Sequence, residues 1–336
     1  MATSSTPSSL PCLVLDYGGG DQRATLFGVS DGVHRPCDAD ELHGKRAWPT
    51  SHGWVLTWDP ATAAMSLWNA RAPPDAAAAA VALPPLAHPP PVESLCALSG
   101  NPTVAGGCTV VLVEPPQSTV LWYCHAGAGE GSTWSRHEYD LGGTSIRVPG
   151  GPCWCKRIIS DLASRHGRFY YFHSATEYGV IDFPPAASSP AFSTVPMRKV
   201  PMRYPAGQFM AIASMYTVEI DGELYTASVV HRGCHDVNSV DHVGVYRMDF
   251  ARKKPVRVKS LGDRAILAGG GSGSFGGWCL ATEFGLRPNT LYWMSPGDKR
   301  LHVCDVGTGA VVEVREPCNG VAEPSRQPFW MIPDHS

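Results

Sequence analysis

Residues 290–314 read Thr290-Leu291-Tyr292-Trp293-Met294, a turn at Pro296-Gly297-Asp298, Leu301-His302-Val303-Cys304-Asp305, a turn at Gly307-Thr308-Gly309, and Val311-Val312-Glu313-Val314. Short runs of aromatic, β-branched and leucine residues between Gly, Pro and Asp are strand-and-turn grammar. The same unit runs from Trp54 through Leu67-Trp68-Asn69 to Val81-Ala82-Leu83. It returns around Trp122-Tyr123-Cys124, Val180-Ile181-Asp182 and Arg247-Met248-Asp249. With Asn69, Cys124, Asp182, Asp249 and Asp305 as equivalent points, the intervals are 55, 58, 67 and 56 residues.

A period of this length in an all-β chain is the mark of a propeller. One further copy is incomplete: Leu13-Val14-Leu15 and Leu26-Phe27-Gly28-Val29, up to Ser30, have no preceding strand. Pro328-Phe329-Trp330-Met331-Ile332 supplies it from the other end of the chain. Around the ring, Asp305 to Ser30 is then 61 residues. The expected fold is a single all-β propeller over 11–333, with 1–10 as a disordered tail. It has six blades and is closed by strands from both termini, which removes free sheet edges. Seven blades is the alternative, because the step from Ser30 to Asn69 is only 39 residues.

Composition agrees. The chain has 336 residues, 35 glycines and 30 prolines, and almost no helical periodicity. The Ala76–Ala80 run is boxed in by prolines at 73, 74, 84, 85 and 89 to 91 and reads as a loop. The net charge of −3 and the lack of any basic run beyond Arg252-Lys253-Lys254 argue against nucleic acid. No apolar stretch is long enough for a membrane span or a signal-peptide core, so the cytoplasm or nucleus is expected. Eleven cysteines, an odd number at irregular spacing, read as reduced thiols.

The sequence resembles a plant family at several points. These are Ser51-His52-Gly53-Trp54-Val55-Leu56, Leu67-Trp68-Asn69, Cys96-Ala97-Leu98-Ser99-Gly100-Asn101-Pro102 and Trp122-Tyr123-Cys124. Gly167-Arg168-Phe169-Tyr170, Val245-Tyr246-Arg247-Met248-Asp249, Leu261-Gly262-Asp263-Arg264 and Pro328-Phe329-Trp330-Met331-Ile332-Pro333 continue it. The family is the F-box-associated propellers of KIB type, and the likeness is to its large grass branch. It implies a substrate-recognition propeller whose partner is a protein, a kinase or other signalling target. Relatives commonly carry an N-terminal F-box that docks to a Skp-type adaptor. Here the first strand begins by Pro11, so an adaptor is not expected while target binding is.

No pattern demands catalysis. Gly271-x-Gly273-x-x-Gly276 matches a dinucleotide fingerprint, but Trp278-Cys279-Leu280-Ala281-Thr282 after it reads as strand, where a phosphate-binding loop needs a helix. His231, Cys234, His235, Asp236, Asp241 and His242 group metal-capable side chains, yet they lack paired zinc spacings and read as a polar hairpin. Cys153 and Cys155 are set closer than zinc pairs usually are. No metal, cofactor or catalytic residue is therefore expected. The candidate partner-binding face consists of Arg23, Asp59, His231, His235, Asp263, Arg264, Asp298 and Lys299, held on crossovers and on loops between second and third strands. Asp263-Arg264 also reads as an ion pair pinning a crossover. Trp154, beside Gly150-Gly151-Pro152, is the candidate exposed anchor, whereas Trp54, Trp58, Trp68, Trp122 and Trp293 belong to the core. The competing reading is an enzyme or carbohydrate-binding propeller that uses the central channel.

Overall fold

The computed structural model describes residues 10–334 except 16–22, 38, 73–78, 116, 128–131, 149–150, 185–188, 204–211, 234–235, 272–273 and 320–327. Blade one contains β1 (Cys12–Leu15), β2 (Thr25–Gly28) and β3 (His34–Pro36). Blade two is β4 (Arg46–Pro49), β5 (Trp54–Trp58), β6 (Met65–Asn69) and β7 (Ala80–Leu83). Blade three is β8 (Leu95–Leu98), β9 (Cys108–Val113), β10 (Val120–Ala126) and β11 (Ser135–Glu138). A separate hairpin follows, β12 (Gly143–Val148) with β13 (Gly151–Lys156). Blade four is β14 (Ala163–Arg165), β15 (Arg168–Ser174), β16 (Glu177–Asp182) and β17 (Ala191–Pro196). Blade five is β18 (Ala213–Ile220), β19 (Glu223–Gly233), β20 (Asp236–Asp249) and β21 (Lys254–Val258). Blade six holds β22 (Arg264–Gly269), β23 (Gly276–Leu280), β24 (Thr290–Met294), β25 (Leu301–Asp305) and β26 (Val311–Arg315). The last strand, β27 (Phe329–Met331), pairs antiparallel with β1 and completes blade one. The ring has six blades closed by both ends of the chain, which settles the count against seven.

Burial explains why the inner strands read as unbroken apolar runs. Every residue of β5, β9 and β24 is buried, because each face of an inner strand meets a neighbouring blade. The outer strands β11 and β17 alternate half-buried and exposed residues. Among the described residues the core divides into six clusters, one per seam between blades. The seam between blades six and one joins Leu13, Phe27, Tyr292 and Trp330. The next pair, five and six, shares Tyr216, Val229, Trp293 and Cys304. Trp54, Trp58, Trp68 and Trp293 are buried, and Trp122 packs partly buried against a core.

Blade six departs from the simple plan. Its strand order is β23-β22-β24-β25-β26, with β22 parallel to β24. Residues 259–263 form the shortest of the blade-to-blade connections and deliver the chain to the end of the blade where β24 starts. The chain then runs up β22, returns on β23 and crosses back to β24. The innermost position is therefore held by β23, where a Cβ on Gly276 would lie 2.7 Å from the Thr217 carbonyl oxygen of β18. Asp263 secures the return crossing. Its carbonyl accepts from the Ala281 N–H at 2.9 Å and its carboxylate from the Thr282 N–H at 3.0 Å.

Candidate functional site

Among the described residues, a cavity of about 30 Å³ is lined by inner strands of blades two and three and by Phe275, Gly276 and Phe329. That volume holds about one water molecule. Apart from backbone, its polar lining consists of the Ser51, Ser94 and Ser274 hydroxyls, with no carboxylate or imidazole among the described residues. Asp161, the buried carboxylate between blades four and five, is tied to the Thr217 hydroxyl and to the Phe172 N–H at 2.8 Å. These bonds make it a pin between blades, and burial raises its pKa.

The sequence-predicted face separates into two ends of the ring. Asp298 and Lys299 occupy the turn beyond Met294, where β24 ends. The Asp298 carboxylate accepts from the Arg300 N–H at 3.2 Å. Across the seam, Ser295 Oγ donates to Asn238 Oδ1 at 3.5 Å, which puts the beginning of β20 on the same end. Asp59 sits in the β5–β6 turn and accepts from the Ala61 N–H at 2.8 Å. Arg23 is exposed in the connection between β1 and β2.

Three residues leave this face: Asp263 and Arg264, at the other end of blade six, and His231, which is buried. Arg264 lies level with the start of β24, because Ala265 pairs with Thr290 in the parallel ladder. A strand of this length separates it from the Asp298 turn by roughly 15 Å. Its guanidinium pairs with Asp221 at 2.5 Å in the β18–β19 turn and lies 5.5 Å from the Trp278 ring centroid. The expected Asp263–Arg264 ion pair is thus replaced by two separate anchors. The inserted strand is the physical reason: it brings the chain into the blade from the opposite end.

His231 is 2% exposed, with Nε2 2.9 Å from Ser214 Oγ and its ring 5.6 Å from Trp293. It is built into the seam and does not present itself to a partner. The His302 ring lies 5.0 Å from that of Trp293, and burial lowers its pKa. His235 lies outside the described residues. Among the described residues, no three His, Cys, Asp or Glu side chains gather closely enough to hold a metal. Among the described residues ten cysteines are free thiols, and burial pushes those of Cys108, Cys279 and Cys304 up to about 12.

Trp154 is where the sequence predicts an exposed anchor. It projects from β13 with 71% of its surface exposed. Its indole lies across Gly143 on the paired strand, where a Cβ would fall 2.4 Å from Cζ2. Glycine at 143 is what lets the ring lie flat there. The hairpin is attached at its base, where Lys156 Nζ donates to Thr119 Oγ1 at 3.0 Å and the Arg157 N–H to the Gly142 carbonyl at 2.9 Å.

Comparison with known proteins places this ring in a family. No curated protein matches the sequence. Among solved structures, the beta-propeller domain of Myceliophteria thermophila Cps50 (Swd1) is 11% identical over 98% of both chains, with a TM-score of 0.32. The periplasmic gluconolactonase of Pseudomonas aeruginosa is 13% identical over 96% of this chain and 99% of its own, with a TM-score of 0.34. The KIB1-4 beta-propeller family matches residues 26–316, and with its six-bladed ring the chain belongs to that family.

Proposed function

We propose that this protein is a non-catalytic, target-binding propeller that acts in the cytoplasm or nucleus, as a receptor for a protein partner or as a competitor of F-box-bearing relatives. The observation that carries this reading is Trp154, held flat on an inserted hairpin and 71% exposed. Covering an exposed indole removes on the order of 100 Å² of apolar surface from water, about 3 kcal/mol. Rigid exposed tryptophans are the usual anchors of protein interfaces. The cavity of about 30 Å³ between the inner strands is too small for a sugar or an organic substrate, which needs several hundred cubic ångströms.

The test is affinity capture from plant extract with the tagged full chain, run beside Trp154→Ala. Wild type should retain a specific protein, and the variant should lose it by roughly 30-fold, about 2 kcal/mol, at an unchanged melting temperature. Equal recovery by the variant, or no specific protein in either lane, would sink this reading.

A further inference from the structure

We infer that a basic groove on the outer side of blade five takes an acidic segment of the protein partner. This rests on the binding reading above and deepens it. The groove has a volume of about 660 Å³, the size of a site for a few residues of extended chain. Among the described residues its cationic lining is Arg203, Arg257 and Lys259, beside His242 and the one carboxylate Asp241. Permanent cations outnumber carboxylates three to one here, in a chain whose net charge is −3. Asp241 is itself engaged, 2.8 Å from His242 Nδ1. None of the three cations makes an ion pair among the described residues, so their charge is available to a ligand.

The floor of the groove is built. The Arg257 guanidinium lies 5.3 Å from the centre of the Tyr246 ring. Its Nη2 donates to the Val243 and Val306 carbonyls at 3.2 and 3.3 Å. Gly244 makes the room, since a Cβ there would fall 2.3 Å from Nη1. The Tyr246 hydroxyl donates to the Pro201 carbonyl at 3.3 Å, which ties the crossover bearing Arg203 to this floor. Arg257 is thus fixed before any ligand arrives, while Arg203 and Lys259 stand exposed at the rim. A fixed guanidinium flanked by exposed cations suits carboxylates spaced along a peptide. Nucleic acid needs a longer cationic track and would meet the negative charge of the rest of the ring.

Fluorescence anisotropy with labelled octaglutamate on the full chain tests this. Binding should weaken at higher ionic strength and fall at least about tenfold in Arg203→Glu/Lys259→Glu, with Arg203→Gln/Lys259→Gln in between. Both residues are exposed, and melting curves check that the variants fold. Trp154→Ala should leave octaglutamate binding unchanged, so loss of the peptide on groove reversal supports the groove even if capture through Trp154 fails. Unchanged octaglutamate binding after reversal, or equal binding of octalysine, overturns the inference. Tighter binding of an octathymidylate that is lost on the same reversal overturns it in favour of nucleic acid.

Discussion

Blades two and six share the same outer architecture and differ in how the chain reaches the channel. In blade two the strands lie in chain order, β4 innermost to β7 outermost, and β5 opposes its inner neighbour antiparallel. In blade six β22 slips between the innermost strand and β24, runs parallel to β24, and leaves the channel position to β23. The difference teaches that the outer three strands carry the repeat, while the inner strand is set by the length of the connection that feeds it. It also bears on closure, because β22 borders the strand that seals the ring. The Trp330 indole of β27 donates to the Ala268 carbonyl of β22 at 3.1 Å, and the Gly271 N–H to the Pro328 carbonyl at 2.5 Å.

The largest expected effect follows from that contact. Trp330 is 1% exposed, and Trp330→Ala should cost about 4 kcal/mol, lowering the melting temperature by about 6 °C. Trp54 in blade two is equally buried, but its indole nitrogen has no hydrogen-bond partner among the described residues. Trp330→Phe should therefore cost about 1 kcal/mol more than Trp54→Phe, since only the former breaks a hydrogen bond. Equal costs in thermal unfolding would mean that the inserted strand does not hold the closing one.

A second substitution strikes the inserted strand itself. Gly269 ends β22 at φ +76°, and a Cβ there would sit 2.2 Å from the Met294 carbonyl oxygen of β24. Gly269→Ala should cost about 3 kcal/mol, part backbone strain and part clash within the parallel ladder. Gly32 has a similar φ of +70° with nothing near its missing Cβ, so Gly32→Ala should cost only about 1 kcal/mol. Denaturant unfolding compares the two; equal values would show that β22 yields freely beside β24.

The outer strands were legible because their turns need particular side chains. Asn69, Asp249 and Asp305, which set the phase of the repeat, each cap the turn that follows. Their Oδ1 atoms accept from the N–H groups of Arg71, Arg252 and Thr308 at 3.0, 2.9 and 2.7 Å. A turn capped by its own side chain leaves a mark in the sequence. Ring closure was legible for a similar reason, as Leu13-Val14-Leu15 lacked a partner that Phe329-Trp330-Met331 could supply. The order β23-β22-β24 was not, because apolar runs such as Ala265–Ala268 say that a strand is buried and not which side it pairs on. Trp154 could be found from its place beside Gly151 and Pro152. The basic groove could not, since Arg203, Tyr246 and Lys259 come from three separate segments that only the fold brings together.

The smallest effect separates the two blade plans most cleanly. Were blade six fed like blade two, Asp263 and Arg264 would act as one ion pair at a crossover. In the ring as built, Asp263 holds the return crossing through Thr282, and Arg264 pairs across the seam with Asp221. Asp263→Ala should then cost about 1 kcal/mol through the lost hydrogen bonds. Arg264→Ala should cost about 0.5 kcal/mol, because both Arg264 and Asp221 remain partly open to solvent. A double-mutant cycle should return no coupling for Asp263 with Arg264 and about 0.5 kcal/mol for Arg264 with Asp221. The Arg264–Asp221 coupling should fade with added salt, while the cost of Asp263→Ala persists. Coupling found within the Asp263–Arg264 pair, and none across the seam, would restore the simple crossover and remove the inserted strand from its place between β23 and β24.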